Sequence, residues 1–378
     1  MNFHFLIVYL AKQRQLKMQA KTTLFSPLIV FFNIIFFLPP LTNASSSNIT
    51  AIFAFGDSVF DPGNNNDLST LVRANHRPYG KDFPGHVPTG RFCNGKLTTD
   101  ILASQLGIKQ VIPAYLDPKV SDNDLLTGVS FASGGSGLDE LTAKENNVLS
   151  IENQLNYFEQ ALKRMQNVVG KTEVKNIVEK ALFMIATGTN DVTNNFYTFP
   201  TRGYLSLSGY HDFQLNSLED FVNDLYKMGA RRIAVTGLPP VGCLPVQMTI
   251  NSLLPSFHML QRVCVKKQNL DSQAYNNKLQ ALISRLQDTL SGSTLVYMDV
   301  YNPLLNLINN PSAYGYDRIH EGCCGTGSIE MGPLCNGFDP TCMNSSRYIF
   351  WDAVHPTQTT NEHLVHNFLQ TLLPQLVD

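Results

Sequence analysis

Five short apolar segments, separated by longer stretches, constrain the fold of this 378-residue chain more than any other feature. Each segment is apolar over most of its length rather than at alternate positions, which is typical of strands that are covered on both faces. The intervening stretches are long enough for the crossover helices that join parallel strands. We therefore predict parallel β-strands at residues 51–55, 128–132, 182–186, 232–236 and 294–299.

Apolar residues recur at spacings of three and four outside these segments, as on one face of an amphipathic helix. The clearest stripes are Ile151, Leu155, Phe158, Leu162, Met165 and Val169, then Leu279, Leu282, Ile283 and Leu286, and finally Leu364, Phe368 and Leu372. Strands that alternate with helices predict an α/β fold, a three-layer α/β/α sandwich with a five-stranded parallel sheet. Because no repeat, linker or charge block divides it, we expect residues 45–378 to form a single domain.

Four long stretches without a clear period interrupt this scheme. They are residues 61–96, 196–213, 242–257 and 314–348. Loops of such length are usually functional or held by cross-links. We expect cross-links in the last of them, since it contains a cluster of cysteines.

The first 44 residues have the layout of a secretory signal peptide that is removed. Lys17 and Lys21 precede an apolar run at residues 24–41, and small polar residues follow it. A membrane anchor is the alternative, but the prolines in the run and its serine-rich exit favour a signal. Met18 is an alternative initiator. No later apolar run approaches the roughly 20 residues that span a bilayer, so we expect no stable membrane insertion after removal.

Cysteine usage agrees with secretion. The six cysteines that we expect to form disulfides are Cys243, Cys264, Cys323, Cys324, Cys335 and Cys342. We predict that Cys243 pairs with Cys264 and that the other four pair among themselves. Zinc is the alternative for those four, but adjacent Cys323 and Cys324 have poor ligand spacing. These neighbours are not expected to bond each other, so two connectivities remain open, and Cys93 is left as a thiol.

Asn-x-Ser/Thr sequons at Asn43, Asn48 and Asn344 also point to secretion. Cleavage after Ala44 removes Asn43, which leaves Asn48 and Asn344 as the predicted glycosylation sites.

Ser58 near the start of the mature chain and Asp352-x-x-His355 near its end suggest a hydrolase. A serine hydroxyl needs an imidazole to take its proton, and the imidazole needs a carboxylate to fix its tautomer. Each motif alone is more often a turn or a helix cap. However, Ser58 follows a predicted strand, and ligands bind at the carboxyl ends of strands in open α/β sheets.

Four blocks in collinear order extend this pattern. Phe55-Gly56-Asp57-Ser58 is followed by Asp-Pro-Gly-Asn-Asn-Asn at residues 61–66, and Phe-Ala-Ser-Gly-Gly-Ser-Gly occupies residues 131–137. The others are Gly-Thr-Asn-Asp at residues 188–191 and Asp-Ala-Val-His-Pro-Thr at residues 352–357. Together they resemble the GDSL esterase/lipases of the SGNH hydrolase superfamily, and residues 238–243 and 323–327 resemble its plant secreted branch.

The resemblance implies a flavodoxin-like fold with Ser58 as nucleophile, His355 as general base and Asp352 as the carboxylate that orients it. It also implies an oxyanion hole made by the N–H groups of Ser58 and Gly135 and the side chain of Asn190. It implies neither a metal ion nor an organic cofactor. The nucleophile elbow of α/β-hydrolases is absent, since Ser58 is not within Gly-x-Ser-x-Gly.

Three positions depart from the family pattern. Val59 replaces the leucine of the family's name, Ser130 stands where an asparagine is usual, and Cys93 stands where serine is more frequent. The change at residue 130 predicts different support around Gly135. The sequence also leaves open whether Gly134 or Gly135 donates to the oxyanion.

Several other polar or aromatic residues near these blocks have simpler interpretations. We expect Asp57 and Asp191 to accept backbone hydrogen bonds at turns, as aspartate often does. Residues 64–66, all asparagine, are interpreted as a turn, Trp351 as packing and His320 as a loop residue.

These observations predict a secreted carboxylic ester hydrolase, extracellular in the cell wall or apoplast, that works through an acyl-serine intermediate. The alternatives are an extracellular acyltransferase with the same triad and a binding protein on an inactive scaffold. The expected partner is an ester substrate, either a lipid, a cutin-like ester or an acylated wall component. A formal net charge of −2 without basic clusters gives no reason to expect nucleic acid. We expect a monomer.

Overall fold

The computed structural model of the chain describes residues 49–253 and 260–376. The predicted signal peptide at residues 1–44 and the sequons at Asn43 and Asn48 lie outside the described residues. In the described ranges no helix is both long and apolar enough to cross a bilayer.

A parallel sheet of four regular strands forms the centre of the fold, in the spatial order β1-β2-β3-β4. The strands are β1 (Ile52–Gly56), β2 (Leu182–Ala186), β3 (Arg232–Thr236) and β4 (Thr294–Met298). Ile52 pairs with Leu182, Leu182 with Arg232, and Arg232 with Thr294, so the strands are in register. Each agrees with a predicted apolar segment to within one residue at either end.

The fifth predicted segment, residues 128–132, lies beside β1 at the edge of the sheet. Backbone bonds join the Ala54 N–H to the Val129 carbonyl at 3.2 Å and the Phe131 N–H to the Ala54 carbonyl at 2.8 Å. Only Ser130 makes bridge pairs, with Ala54 on one side and Ala114 on the other. The segment therefore extends the parallel ladder without forming a fully regular strand, because its outer neighbour is a short piece of loop.

Ten α-helices in the described ranges connect and cover the sheet. They are α1 (Thr98–Gln105), α2 (Asp122–Leu125), α3 (Glu140–Asn146), α4 (Ile151–Lys180), α5 (Leu207–Lys227), α6 (Pro245–Ser252), α7 (Lys266–Thr289), α8 (Tyr301–Asn309), α9 (Gln358–Thr371) and α10 (Leu373–Leu376). A π-helical segment, Asp191–Thr198, follows β2. Helix α4 is interrupted at Gly170, whose φ of 81° and ψ of 161° are not helical.

Alternate residues of each strand face opposite helical layers. Phe53 and Phe55 face the layer of α4, α5 and α7, where they meet the buried side chains of Phe158 and Phe221. Ile52, Ala54 and the other strand residues whose side chains point to the opposite face contact α1, α9 and α10. Since burial on both faces is what makes the strands continuously apolar, the three-layer sandwich follows from the sequence pattern.

Two of the predicted loops contain helices. Helix α5 begins inside residues 196–213, where the Ser206 side chain accepts the Gly209 N–H as an N-cap. Helix α6 begins inside residues 242–257 with Pro245 as its first residue, a favoured place for proline. The prediction that these two stretches are loops throughout was wrong. Each helix begins at a short capping signal, but the stretches have no clear apolar period, and the missing period favoured the loop interpretation.

The other two long stretches differ from each other. Residues 61–96 contain no helix or strand in the structure. Residues 314–348 contain β5 (Arg318–Gly322), which pairs in parallel with β6 (Tyr348–Phe350) in a second, two-stranded sheet. Strand β6 leads directly into Trp351 and Asp352.

Three disulfides occur in the structure, and two of them lie beside this second sheet. Cys243 is bonded to Cys264, and the cluster is joined as Cys323–Cys342 and Cys324–Cys335, one of the two connectivities left open. The four cysteines that were the alternative zinc ligands are therefore all bonded in disulfides. Cys93 is a buried free thiol.

Candidate active site

Ser58 lies just beyond the carboxyl end of β1. Strand β1 ends at Gly56, whose φ is 119° and where a Cβ would lie 1.8 Å from the Ala186 carbonyl oxygen, so only glycine fits there. The Gln154 side chain holds the turn by accepting the Gly56 N–H at 2.7 Å and donating to the Gly56 carbonyl at 2.9 Å. These two hydrogen bonds fix the backbone of the turn that carries Ser58.

The structure brings Ser58, His355 and Asp352 together. The His355 Nε2 atom lies 2.8 Å from Ser58 Oγ, and His355 Nδ1 lies 2.7 Å from Asp352 Oδ2. Ser58 is 7% exposed, His355 6% and Asp352 0%. Because Asp352 can only accept when ionised, Nδ1 carries the proton and Nε2 is left to accept from the serine hydroxyl.

Further donors surround the Asp352 carboxylate. Its Oδ1 accepts the N–H groups of Val354 and His355, both at 2.8 Å. Its Oδ2 accepts the Tyr79 hydroxyl at 2.7 Å, and that hydroxyl in turn accepts the Gly332 N–H at 2.8 Å. Burial and the adjacent Asp352 raise the pKa of Tyr79 well above its usual value, which keeps its proton in the hydrogen bond.

Aromatic side chains fix the residues on both sides of this carboxylate. Phe92 lies against the His355 ring with 5.0 Å between the ring centroids. Trp351 is fully buried, contacts Tyr79 edge to face and accepts the Cys324 N–H at its carbonyl. The disulfide-bonded loop is thereby hydrogen-bonded to the residue that precedes Asp352, and Trp351 has the packing environment that we expected.

Sequence reasoning missed three residues that build this site, Tyr79, Phe92 and Gln154. Tyr79 and Phe92 lie in a loop without regular structure, where no pattern indicates which side chains turn inward. Gln154 gave a usable signal, because a polar residue on the buried face of α4 indicates a hydrogen-bonding partner in the core.

The backbone N–H groups of Ser58 and Gly135 are free to donate. Neither Ser58 nor Gly135 donates its N–H to an acceptor in the described residues, and Gly135 has a φ of 83° that favours glycine. In contrast, the Gly134 N–H is bonded to Asp61 Oδ2 at 2.8 Å, which favours Gly135 over Gly134 as an oxyanion donor. The Asn190 Nδ2 atom donates one hydrogen to the Ser136 carbonyl at 2.8 Å, and its second hydrogen remains for a ligand.

The loop at residues 61–66 supports the segment that carries Gly135. Asp61 also accepts the N–H groups of Gly63 and Asn64, and Asn64 donates to the carbonyls of Ser130 and Ala132. Burial raises the pKa of Asp61 to about 6. The Ser130 hydroxyl donates to the Phe60 carbonyl at 2.7 Å, so serine ties this segment to the first block.

Asp57 and Asp191 have structural partners. Asp57 accepts the Val59 N–H at 3.2 Å, and burial raises its pKa to about 7. Asp191 accepts the N–H groups of Leu138 and Asp139 and the side chains of Thr142 and Gln214, and burial raises its pKa to about 6.

Ser58 and His355 line an apolar pocket of about 120 Å³. It extends along the carboxyl ends of all four strands of the main sheet and is bounded by α1, α8 and α9. Asn344 is the predicted glycosylation site that lies in the described ranges. It is exposed, and its side chain accepts the Ser346 N–H.

Comparison with known proteins gives one consistent similarity. A model of the family described as GDSL-like lipase/acylhydrolase matches residues 52–368. The chain is 48% identical over 337 residues to GDSL esterase/lipase At2g40250 of Arabidopsis thaliana, covering 89% of this chain and 93% of the relative. It is 45% identical over 319 residues to GDSL esterase/lipase At1g06990 of Arabidopsis thaliana, covering 84% and 88%.

Proposed function

Since the chain belongs to the GDSL-like lipase/acylhydrolase family and is a hydrolase that acts on ester bonds, we propose that it cleaves carboxylic esters through an acyl intermediate on Ser58. The observation that carries the proposal is the continuous chain of hydrogen bonds from Ser58 Oγ through His355 to Asp352. Such a chain lets a weak nucleophile lose its proton as it attacks.

In the first half of the reaction, Ser58 Oγ attacks the ester carbonyl and His355 Nε2 takes the hydroxyl proton. Asp352 stabilises the imidazolium that forms. The proton then passes from Nε2 to the alcohol oxygen as the ester C–O bond breaks and the acyl group stays on Ser58. In the second half, His355 removes a proton from water, the resulting hydroxide attacks the acyl group, and Ser58 Oγ recovers its proton.

The negative charge of each tetrahedral intermediate falls on the former carbonyl oxygen. We assign its stabilisation to the N–H groups of Ser58 and Gly135 and to Asn190 Nδ2. Two of these are backbone donors without another partner in the described residues. Asn190 is held by its bond to the Ser136 carbonyl, and Gly135 by the Asn146 side chain, which donates to its carbonyl. Preorganised donors of this kind are each worth about 10²–10³ in kcat.

Secretion to the cell wall or apoplast is part of the proposal. A signal peptide at residues 1–44 would leave residues 45–378 as a single hydrolase domain with N-glycans at Asn48 and Asn344. Three disulfides support this assignment, because structural disulfides persist in oxidising compartments.

Substitution of the nucleophile tests the mechanism. Ser58→Ala should abolish turnover of p-nitrophenyl acetate while the circular dichroism spectrum stays unchanged. The matched control is Ser69→Ala, which removes a hydroxyl from an exposed serine in the adjoining loop. Turnover by folded Ser58→Ala at the rate of Ser69→Ala would exclude Ser58 as the nucleophile.

A further inference from the structure

A second cavity lies beside β4, the strand at the end of the main sheet away from β1. It is a cleft of about 820 Å³ between α7, α8, α9 and the end of β4, within the range of about 300–1,000 Å³ that is usual for ligand sites. Helix α8 presents Leu304 to the pocket at Ser58, and Asn302 and Asn306 to the cleft. The two cavities are therefore distinct, although Asp299 lines both.

Uncharged polar side chains follow a regular pattern around this cleft. Each of the three helices contributes two such residues four positions apart, a spacing that places both on one helix face. The pairs are Gln273 and Asn277 on α7, Asn302 and Asn306 on α8, and Asn367 and Thr371 on α9. Three helices thus turn an amide-bearing face towards the same space.

Several polar groups of the cleft have no hydrogen-bond partner in the described residues. The side-chain amides of Gln273, Asn277 and Asn367 make no hydrogen bond there, and neither do the hydroxyls of Tyr297 and Tyr301. Tyr301 is only 4% exposed, and a hydroxyl on so buried a side chain normally has a partner. These five groups are available to a ligand.

The charges around the cleft argue against an ionic ligand. Among the described residues that line it, none is lysine, arginine or histidine, so an anionic group would find no cation. The one carboxylate, Asp299, already accepts the N–H groups of Tyr301 and Asn302 and the side chain of Asn302. An apolar ligand would leave the free amides and hydroxyls buried without partners, which is unfavourable. The cleft therefore suits a neutral ligand that can both donate and accept hydrogen bonds.

We propose that this cleft binds a neutral oligosaccharide at a site separate from Ser58. Sugar hydroxyls donate and accept, as side-chain amides and tyrosine hydroxyls do. Sugar rings also have apolar C–H faces, and Pro303 and Leu372 supply apolar surface in the cleft. The unpaired groups come from α7, β4, α8 and α9, so they surround the ligand as hydroxyls surround a sugar ring. An extended peptide would instead need a row of partners along one edge.

Such a site would hold the esterase on a polysaccharide. Because Asp299 lines both cavities, a polymer in the cleft lies next to the pocket at Ser58, and esters on that polymer are presented at a raised local concentration. Binding in the cleft does not depend on the acyl-serine mechanism. Ser58→Ala should therefore bind the oligosaccharide with the dissociation constant of the wild type.

Isothermal titration calorimetry of the full-length protein tests the proposal with cellohexaose, xylohexaose and mannohexaose. At least one of these should bind with a Kd below about 1 mM. Hexagalacturonate, which is anionic, should bind more weakly, because the described lining of the cleft contains no cation. Failure of all three neutral probes to bind, or tighter binding of hexagalacturonate than of any of them, would overturn the proposal.

A double substitution locates the binding site. Asn277→Ala with Asn367→Ala removes free amides from two helices and should raise Kd at least about tenfold, since each lost hydrogen bond costs a factor of about three to ten. The matched control is Asn167→Ala with Asn309→Ala, at two exposed asparagines outside the cleft, which should keep the wild-type Kd. Both double variants should hydrolyse p-nitrophenyl acetate at the wild-type rate. Equal Kd values in the two would place the oligosaccharide elsewhere and overturn the assignment.

A smaller change covers the case in which the first double variant does not fold, as judged by circular dichroism. Tyr301→Phe removes one oxygen from the cleft and keeps the buried ring, so it should weaken binding by about threefold or more. Tyr204→Phe, at an exposed tyrosine outside the cleft, is its control. The same Kd in both tyrosine variants would contradict a role for the Tyr301 hydroxyl and, with it, the proposed site.

Discussion

The Tyr79 hydroxyl donates to Oδ2 of Asp352 at 2.7 Å, the same oxygen that His355 Nδ1 contacts. The two residues are 273 positions apart, and both are buried. Tyr79 therefore acts on the proposed triad as a positioning residue, because it fixes the carboxylate that in turn fixes the imidazole.

Loss of this hydroxyl should slow the reaction without weakening substrate binding. Tyr79→Phe removes one hydrogen bond to a charged group, so we expect kcat to fall about tenfold with KM unchanged. Tyr204→Phe is the control, since Tyr204 is exposed and distant in the chain from this contact. A folded Tyr79→Phe variant with wild-type kcat, or one in which only KM changes, would contradict the positioning role.

Removal of the proposed oxyanion amide should have a larger effect. Asn190→Ala should reduce kcat by about 10²–10³ with little change in KM, because the donor acts chiefly on the charge of the transition state. Steady-state kinetics with p-nitrophenyl butyrate measures this. Asn194→Ala removes an amide four positions along the same helical segment and should retain wild-type kcat. Equal kcat in the two variants would remove Asn190 from the oxyanion hole.

The raised pKa values of the buried carboxyl groups predict how stability depends on pH. Burial raises the pKa of Asp57 from 3.8 to about 7, so the folded protein binds a proton there that the unfolded chain releases above about pH 4. This contribution to stability is complete below the unfolded pKa and is lost as pH rises towards 7.

Asp57→Asn should therefore flatten the fall in unfolding free energy between pH 4 and 7, by up to about 1.4 kcal/mol per pH unit. Urea unfolding at several pH values measures the slope. Asp67→Asn, which makes the same change at an exposed position, is the matched control. If Asp57→Asn has the same slope as Asp67→Asn, Asp57 does not titrate as proposed.

The disulfides of the cysteine cluster should matter more for activity than for the sheet. The loop closed by the Cys324–Cys335 disulfide contacts the residue before Asp352, because the Cys324 N–H donates to the Trp351 carbonyl. Reduction of the disulfide should therefore displace the Asp352 carboxylate before it affects the sheet. Titration with a reductant should lower esterase activity before the far-ultraviolet circular dichroism changes. Each bond contributes roughly 2–4 kcal/mol.

Peptide mapping without reduction checks the pairing itself. We expect peptides joined through Cys323–Cys342 and Cys324–Cys335, and Cys93 in an unlinked peptide. A bridge that includes Cys93 would contradict this arrangement.

The sequence was sufficient for the sheet because strands buried on both faces are apolar at most positions rather than at alternate ones. Strand β3 lies at the predicted residues, whereas the edge segment 128–132 is less regular than predicted because it has only loop on its outer side. The sequence also led to Ser58, Asp352 and His355 as a group, because a serine nucleophile needs an imidazole and a carboxylate and because the motifs resemble those of the family. Tyr79 and Phe92 could not be predicted, because contacts from an irregular loop depend on the whole tertiary structure.

Covalent labelling tests the central claim, that Ser58 is the activated nucleophile, most directly. The folded full-length protein is treated with a fluorophosphonate probe, which reacts with serines activated by a neighbouring base, and the modified peptide is identified by mass spectrometry. The account predicts a single adduct on Ser58 that is absent from His355→Ala. An adduct on another serine such as Ser136, or no adduct in a preparation that hydrolyses esters, would contradict it.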